Sequence, residues 1–384
     1  MIHPVALRAP IAGLLLSLAG PPEARADRAA VEAALAGMTR AVLAADRDAY
    51  LAHVSNEDPV FFKEQFNWAR DLGRVPAAEF SLSVDDAAPA QFEDHAATFT
   101  LVTKWRMKGW DEKSSRTLTF PAGFARVGDK WLYRGERWDV IEGEGVKVLF
   151  APAVGDAPNP LAQVAQRVVN VMPAVRAHVE EGYQTKGPAV QEVKLYADMK
   201  HLQASIYLSY TDGLGGWNEP EESIKILAGE GQSEAGLKVL LGHEFGHVAT
   251  FTYGAHASDM PWWVLEGAAE LAAEQFSASR TRTDRTVRAW AKAGSLAKWE
   301  DMADFHKTEP RWMGHVYTQG HHMLGFVSDQ FGRERRNAWL RLLAQGKDLD
   351  AASLGALGQP FAEVDSAWRA SLATPPRPDP EPQK

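Results

Sequence analysis

Two histidines one helical turn apart, His243 and His247, lie inside the apolar run Leu240-Leu241-Gly242-His243-Glu244-Phe245-Gly246-His247 and constrain the chain more than any other feature. In a helix, residues four apart stack on one face, so both imidazoles can reach a single zinc ion at about 2.0 to 2.1 Å. Glu244 is rotated about 100° around the same axis, where its carboxylate can take a proton from a water held in that site. Cysteine is absent from the 384 residues, which removes disulfides, thiolate metal sites and thiol nucleophiles, so any metal must take His, Asp or Glu. A third ligand has to come from elsewhere. The next helix, opening at Pro261 and reading Trp262-Trp263-Val264-Leu265-Glu266-Gly267-Ala268-Ala269-Glu270, offers Glu266 after eighteen intervening residues.

The layout of H-E-x-x-H, eighteen residues, then Glu within W-x-x-E-G-x-A-E resembles the gluzincin zinc metallopeptidases, both thermolysin-like and aminopeptidase-like. Neighbouring groups fit less well. Metzincins carry Gly and His where this chain has Thr250 and Tyr253, and aspzincins carry Asp at the position of Tyr253. The resemblance implies His243, His247 and Glu266 as zinc ligands and Glu244 as general base. It also implies Glu270 as acceptor of a hydrogen bond from the first histidine, fixing its tautomer. Tyr317-Thr318-Gln319-Gly320 is similar to the Y-x-K-G segment of gluzincin aminopeptidases, with Gln319 in place of Lys, and implies Tyr317 as the donor to the oxyanion. His315, His321 and His322 crowd the same stretch and compete for that role. Gly215-Gly216-Trp217-Asn218-Glu219 echoes the free-amine recognition segment G-x-M-E-N with its Glu and Asn exchanged, which makes Glu219 a candidate substrate contact. The strand Ile224 to Ala228, through Ile224 and Ile226, is read as the sheet edge on which an extended peptide pairs.

The rest of the chain reads as α+β. Val31, Leu35, Met38 and Val42 fall at helical spacing. The segments Ala96 to Lys108, Ser115 to Val127 and Lys130 to Ile141 are rich in Thr, Phe, Trp and Val and are separated by turn chemistry. One helix with an antiparallel meander resembles the nuclear-transport-factor-like (SnoaL-like) cone and is assigned to residues 27–145. A zincin-type domain follows over 146–373. It has strands at Val146 to Phe150, Val190 to Ala197, Ser205 to Thr211 and Ile224 to Ala228, making a small mixed sheet. A helix from Pro160 to Tyr183 is expected to be kinked or split at Pro173, and the part after Glu234 is mainly helical. Thr374 to Lys384, with five prolines, reads as a disordered tail.

Residues 1–26 read as an export signal. Arg8 precedes an apolar run from Ile11 to Ala19, and Ala24-Arg25-Ala26 matches a small-x-small cleavage site before Asp27. The run is too short to cross a hydrocarbon core of about 30 Å, so the mature protein is expected to be periplasmic or secreted and free of the membrane. Removal takes Arg8, Arg25 and Glu23 and leaves 39 basic and 49 acidic side chains, net −10, against −9 for the whole chain. That balance offers nothing to phosphates, so nucleic acid is excluded as a partner. The expected activity is zinc-dependent hydrolysis of peptide bonds, on a peptide or protein, by a metal-activated water. Two alternatives stay open: a non-catalytic zinc-containing binding module, or a zinc hydrolase of a non-peptide amide or ester.

Overall fold

The computed structural model describes residues 22–153 and 159–373. The first 21 residues of the expected export signal, and the Pro-rich tail, lie outside the described residues. The chain begins with α1 (Pro22–Ala44), α2 (Arg47–Leu51) and α3 (Pro59–Asp71). Strands β1 (Ala77–Val84), β2 (Gln91–Glu93), β3 (Ala96–Met107), β4 (Arg116–Val127) and β5 (Lys130–Glu136) follow. They form a curled antiparallel sheet in the order β1-β3-β4-β5, with β2 also paired to β3. Val31, Leu35, Met38 and Val42 of α1 are fully buried against Phe99, Leu101 and Trp105 of this sheet, as their helical spacing requires.

A second sheet combines β6 (Asp139–Gly143), β7 (Val146–Phe150), β8 (Gln191–Tyr196), β9 (Gly216–Trp217) and β10 (Ile224–Leu227) in the order β6-β7-β8-β10-β9. The β7-β8 and β8-β10 pairs are parallel and the outer pairs antiparallel, so the sheet is mixed, as expected. The helices of this part are α4 (Pro160–Tyr183), α5 (Met199–Ile206), α6 (Glu234–Phe251), α7 (Trp262–Ala273), α8 (Ser279–Ala293), α9 (Met313–Phe331), α10 (Arg333–Ala344), α11 (Leu349–Leu357) and α12 (Phe361–Leu372). Valines and isoleucines of β7, β8 and β10 meet α4 and the inner face of α6 (Leu237, Leu241, Phe245) in one core.

The sequence expectations change in several places. The strand read at Lys130 to Ile141 is two strands, β5 in the first sheet and β6 in the second. The strand read at Ser205 to Thr211 is absent: Asp198 caps α5, accepting from His201 N at 2.9 Å, and the helix ends at Ile206. The run Ser-Ile-Tyr-Leu-Ser-Tyr alternates like a strand, but its large side chains serve three-dimensional neighbours instead; the Leu208 carbonyl accepts from Trp105 Nε1 at 3.0 Å. α4 is not split at Pro173 but continues through it, with buried valines on both sides of the proline. α3 and β1, neither of them read from sequence, are both present. Asp58 caps α3 by accepting from Val60 N and Phe61 N, and Pro59 occupies its first turn.

α3 joins the two sheets. Trp68 Nε1 donates to the Ala204 carbonyl at 3.0 Å, and Asn67 Nδ2 donates to Glu222 Oε1 at 2.7 Å. Glu64, buried, pairs with Lys194 of β8 and accepts from Ser223. Lys63, Asn67 and Arg70 of the same helix line a cleft that runs along β9, α6 and α7.

Candidate metal centre and cleft

α6 starts at Ser233, whose hydroxyl accepts from Gly236 N at 3.1 Å, with Glu234 in the first turn complementing the helix dipole. α7 crosses it at very short range. A Cβ at Gly246 would lie 2.7 Å from Ala272 Cβ and 2.9 Å from Ala269 Cα. On the other side of α7, a Cβ at Gly320 of α9 would lie 2.4 Å from the Trp263 carbonyl oxygen. Glycine at these crossings lets three helices approach closely, and this brings side chains on α6, α7 and α9 to one place.

That place holds His243, His247 and Glu266, whose nearest ligand atoms lie within 4.8 Å of one another. They form the one group of three His, Asp or Glu of this kind among the described residues. Glu266 Oε2 stands 3.2 Å from His243 Nε2 and 3.5 Å from His247 Nε2. Its other oxygen is occupied, since Trp262 Nε1 donates to Glu266 Oε1 at 2.9 Å. Glu270, one turn on, lies 3.3 Å from His243 Nδ1 and thereby directs Nε2 toward the group. Glu266 Oε2 is buried without a well-directed hydrogen bond, and so is His247 Nδ1. A buried carboxylate oxygen left facing two imidazole nitrogens is the donor set a divalent cation of zinc's preferences requires.

The electrostatics follow from this crowding. Burial pushes the Glu266 carboxyl upward, but the imidazoles of His247 and His243 outweigh it and hold the group well below the usual carboxylate range. For His243, burial favours the neutral ring, yet Glu266, Glu270 and Glu244 together push it well above its ordinary value. Glu244 is 4 % exposed, and burial raises its carboxyl despite the neighbouring imidazoles. Gly216 lies against it: a Cβ there would meet Glu244 Oε1 at 2.5 Å. Glu270 is half-buried; burial raises its carboxyl, but its hydrogen bond with His243 outweighs this and holds it below its ordinary value.

The cleft has a volume of about 1150 Å³ and is lined by the group, Glu244, Glu270 and Tyr317. The Tyr317 ring stacks on that of His243 at 6.2 Å between centroids and meets the Trp262 ring edge-on at 6.1 Å. Burial, then the charge of Glu266, keeps its phenol protonated. The three histidines that compete with it have other partners. His315 stacks on Trp290 at 3.9 Å, His321 pairs with Glu274 at 2.8 Å, and His322 pairs with Asp284 at 3.1 Å. Gln319, where the aminopeptidase pattern has Lys, turns inward and holds the backbone of Ala297 by two hydrogen bonds, of 3.1 and 3.0 Å.

Glu219 lines the cleft as expected, but it is already engaged by the Tyr207 hydroxyl and by Arg70 Nη2 at 3.2 Å. Burial and the nearby Glu222 push its carboxyl up to about 7, against the pull of Arg70. Ile224 and Ile226 do not line the cleft, which corrects the sequence reading. Both are fully buried in the core, and β10 is not an edge, because Gly216 and Trp217 pair with Ile226 and Lys225. The edge strand beside the cleft is β9. Sequence reasoning passed over β9 as a strand, the α3 face and the cleft aromatics Tyr207, Tyr210 and Phe305. α3 had a local signal in Asp58-Pro59; the two-residue β9 and the aromatics had none.

No protein-family model matches the chain, and no curated protein does. Among solved structures, the chain is similar to an M1 zinc metallopeptidase from Deinococcus radiodurans, at 14% identity and a TM-score of 0.35, over 78% of this chain and 65% of that one. A mutant of that enzyme bound to a Tyr-Ser-Ala substrate aligns at 13% identity and a TM-score of 0.34, over 80% and 64% of the two chains. The chain thus spans about 65% of the length of the first of these structures. None of these comparisons supports the cone-like resemblance of residues 27–145.

Proposed function

We propose that this chain is a zinc-dependent peptidase in which His243, His247 and Glu266 hold the metal. The observation that carries the reading is the convergence of two Nε2 atoms and one carboxylate oxygen beside a buried Glu244, at the floor of an open cleft. Zinc in such a site polarises a carbonyl and lowers the pKa of a water toward 7. The chain's own residues do the rest. Glu244 takes a proton from the attacking water as its oxygen bonds to the peptide carbonyl carbon, and passes that proton to the nitrogen as the C–N bond breaks. The Tyr317 hydroxyl, protonated and next to His243, donates to the carbonyl oxygen as it gains negative charge. β9 leaves one edge free for an extended peptide backbone.

The binding-module alternative needs a closed site with four protein ligands. Among the described residues no fourth His, Asp or Glu joins the group, which favours a site with a coordination position left for solvent or substrate. The small-x-small site ending at Ala26 supports export, and no described helix is long and apolar enough to cross a membrane.

Purified protein is expected to contain about one zinc per chain and to hydrolyse bonds in a mixed peptide library. Chelation should abolish hydrolysis and stoichiometric zinc restore it; hydrolysis that survives complete metal removal ends the proposal. Trp262 leaves Glu266 one free oxygen for the metal, so Trp262→Phe should weaken zinc binding about 10- to 100-fold in a chelator competition titration. An unchanged affinity would show that the indole hydrogen bond plays no part in holding the ligand.

A further inference from the structure

A second cavity, which shares no lining residue with the cleft, lies on the other side of α3. Glu64 and Trp68 of that helix line the cavity, whereas Lys63, Asn67 and Arg70 line the cleft. The inward face of the first sheet bounds it, together with α3, α5 and the residues Lys194 and Tyr196 of β8. Much of its wall is aromatic, including Tyr50, Phe61, Trp68, Phe80, Trp105 and Phe120. Its volume is about 100 Å³. An apolar cavity of about 150 Å³ takes up benzene, so this one limits an occupant to at most one small ring or a short branched chain.

Each charged side chain on this wall has its counter-charge. Glu64 pairs with Lys194, Lys225 with Glu222 at 2.7 Å, and His201 Nε2 stands 3.0 Å from Glu136 Oε1. An ion entering here would lose its water and find no free partner. Hydrogen-bonding capacity, by contrast, is left over. His201 Nε2 is buried and not aligned for a hydrogen bond with Glu136 or any other described residue. Burial favours the neutral ring, but Glu136 outweighs it and pushes His201 above its ordinary value, so that Nε2 carries a hydrogen. Tyr133, 8 % exposed, lines the same space, and among the described residues its hydroxyl has no hydrogen-bond partner. Burial, with the nearby Tyr50 and Glu136, keeps that phenol protonated. The Tyr50 hydroxyl, in contrast, donates to Gln65 Oε1 at 2.6 Å. Buried polar groups are normally paired, so two donors beside Glu136 that lack an acceptor point to an absent oxygen.

We propose that this cavity is a binding site for a small uncharged molecule with an acceptor oxygen on one small ring or a short branched chain, such as a cyclic ketone or alcohol. The oxygen accepts from Tyr133 or His201, and the apolar body packs against the surrounding rings. A carboxylate would offer the same oxygen but brings a negative charge next to Glu136 and Glu64, and is rejected. The site lies at the junction of the two sheets and does not depend on the peptidase reading.

The test is calorimetric titration of the full chain with a series built on one ring: cyclopentanone, cyclopentanol, cyclopentane and cyclopentanecarboxylate. The ketone and the alcohol are expected to bind saturably, and the carboxylate at least about 10-fold more weakly than the ketone. Tyr133→Phe should weaken the ketone about 3- to 10-fold and leave cyclopentane unchanged, the loss expected for one hydrogen bond. Ala204→Leu, which places side-chain volume in the cavity, should abolish binding of all four. No saturable binding of ketone or alcohol up to about 20 mM would mean that the cavity holds water only, and overturns the proposal. Binding that survives Ala204→Leu places the ligand elsewhere and overturns it too. Should that variant fail to fold, Tyr133→Phe decides, because it removes one atom with no partner in the chain. An unchanged ketone affinity there, or a carboxylate that binds as tightly as the ketone, overturns the assignment.

Discussion

Glu244→Gln is expected to leave about one zinc bound per chain while kcat for peptide hydrolysis falls by roughly 10²- to 10⁴-fold. The argument is positional. Glu244 shares α6 with His243 and His247 and lines the same cleft, its carboxylate buried against Gly216 of the edge strand, so it stands beside the strand that a peptide would follow. Gln keeps the volume and the helix but cannot accept a proton from water at neutral pH. None of the three ligand atoms belongs to Glu244, so metal content should hold. Two measurements decide the matter: zinc by elemental analysis and initial rates on the same preparation. A variant turning over within about threefold of the parent would remove Glu244 from the chemistry, and a variant that loses its zinc would give it a structural role instead.

The elements carrying this chemistry were legible because their constraint is local. H-E-x-x-H requires a helix, and a carboxylate eighteen residues on, inside an Ala- and Gly-rich run after Pro261, requires a second one that packs closely. α4 and β7 fall at the bounds read from sequence, since long valine periodicity in one and a short apolar run in the other have few alternative readings. α3 was missed for a physical reason. Its inward face carries Glu64, Asn67 and Asp71 as well as Phe61 and Trp68, so counting apolar residues hides a face that is in fact buried. The cleft wall was illegible for a different reason. Tyr207, Trp217, Trp262, Phe305 and Tyr317 come from five segments, and only the meeting of Trp262 with Tyr317 follows from the close approach of α7 and α9 at Gly267 and Gly320. Spacing does not encode such long-range assembly. The mistaken placing of the peptide-pairing edge at Ile224 and Ile226 has the same origin, because a two-residue strand at Gly216–Trp217 is too short to register as a pattern.

Glu64→Gln is expected to lower the unfolding free energy at pH 7 by about 3 to 5 kcal/mol, the scale for stripping a counter-ion from a buried pair. Lys194 of β8 and Lys225 of β10 face each other in register on adjacent parallel strands, and both are almost fully buried. Two ammonium groups so placed repel each other at low dielectric unless carboxylates sit between them. Glu222 accepts from Lys225 at 2.7 Å, but Lys194 relies on Glu64, which also stands 3.7 Å from Lys225 Nζ and accepts from the Ser223 hydroxyl and backbone. Glu64 comes from α3, on the other side of the junction between the two sheets, so the first part of the chain supplies the charge that makes the second part's sheet tolerable. Burial alone would raise the Glu64 carboxyl; the two lysines outweigh it and hold it at about 2. A folded-state value below the unfolded value of about 4.3 gives stability that is complete above that pH and lost as pH falls toward 2. The gap between parent and Glu64→Gln in urea denaturation should therefore be widest near neutrality and close between about pH 4 and pH 2. Adding Lys194→Met to Glu64→Gln removes the orphaned charge while Lys225 keeps Glu222, so the double variant should recover more than half of the loss. A Glu64→Gln midpoint indistinguishable from the parent at pH 7, or a double variant less stable than the single one, would mean that the two lysines find their compensation elsewhere.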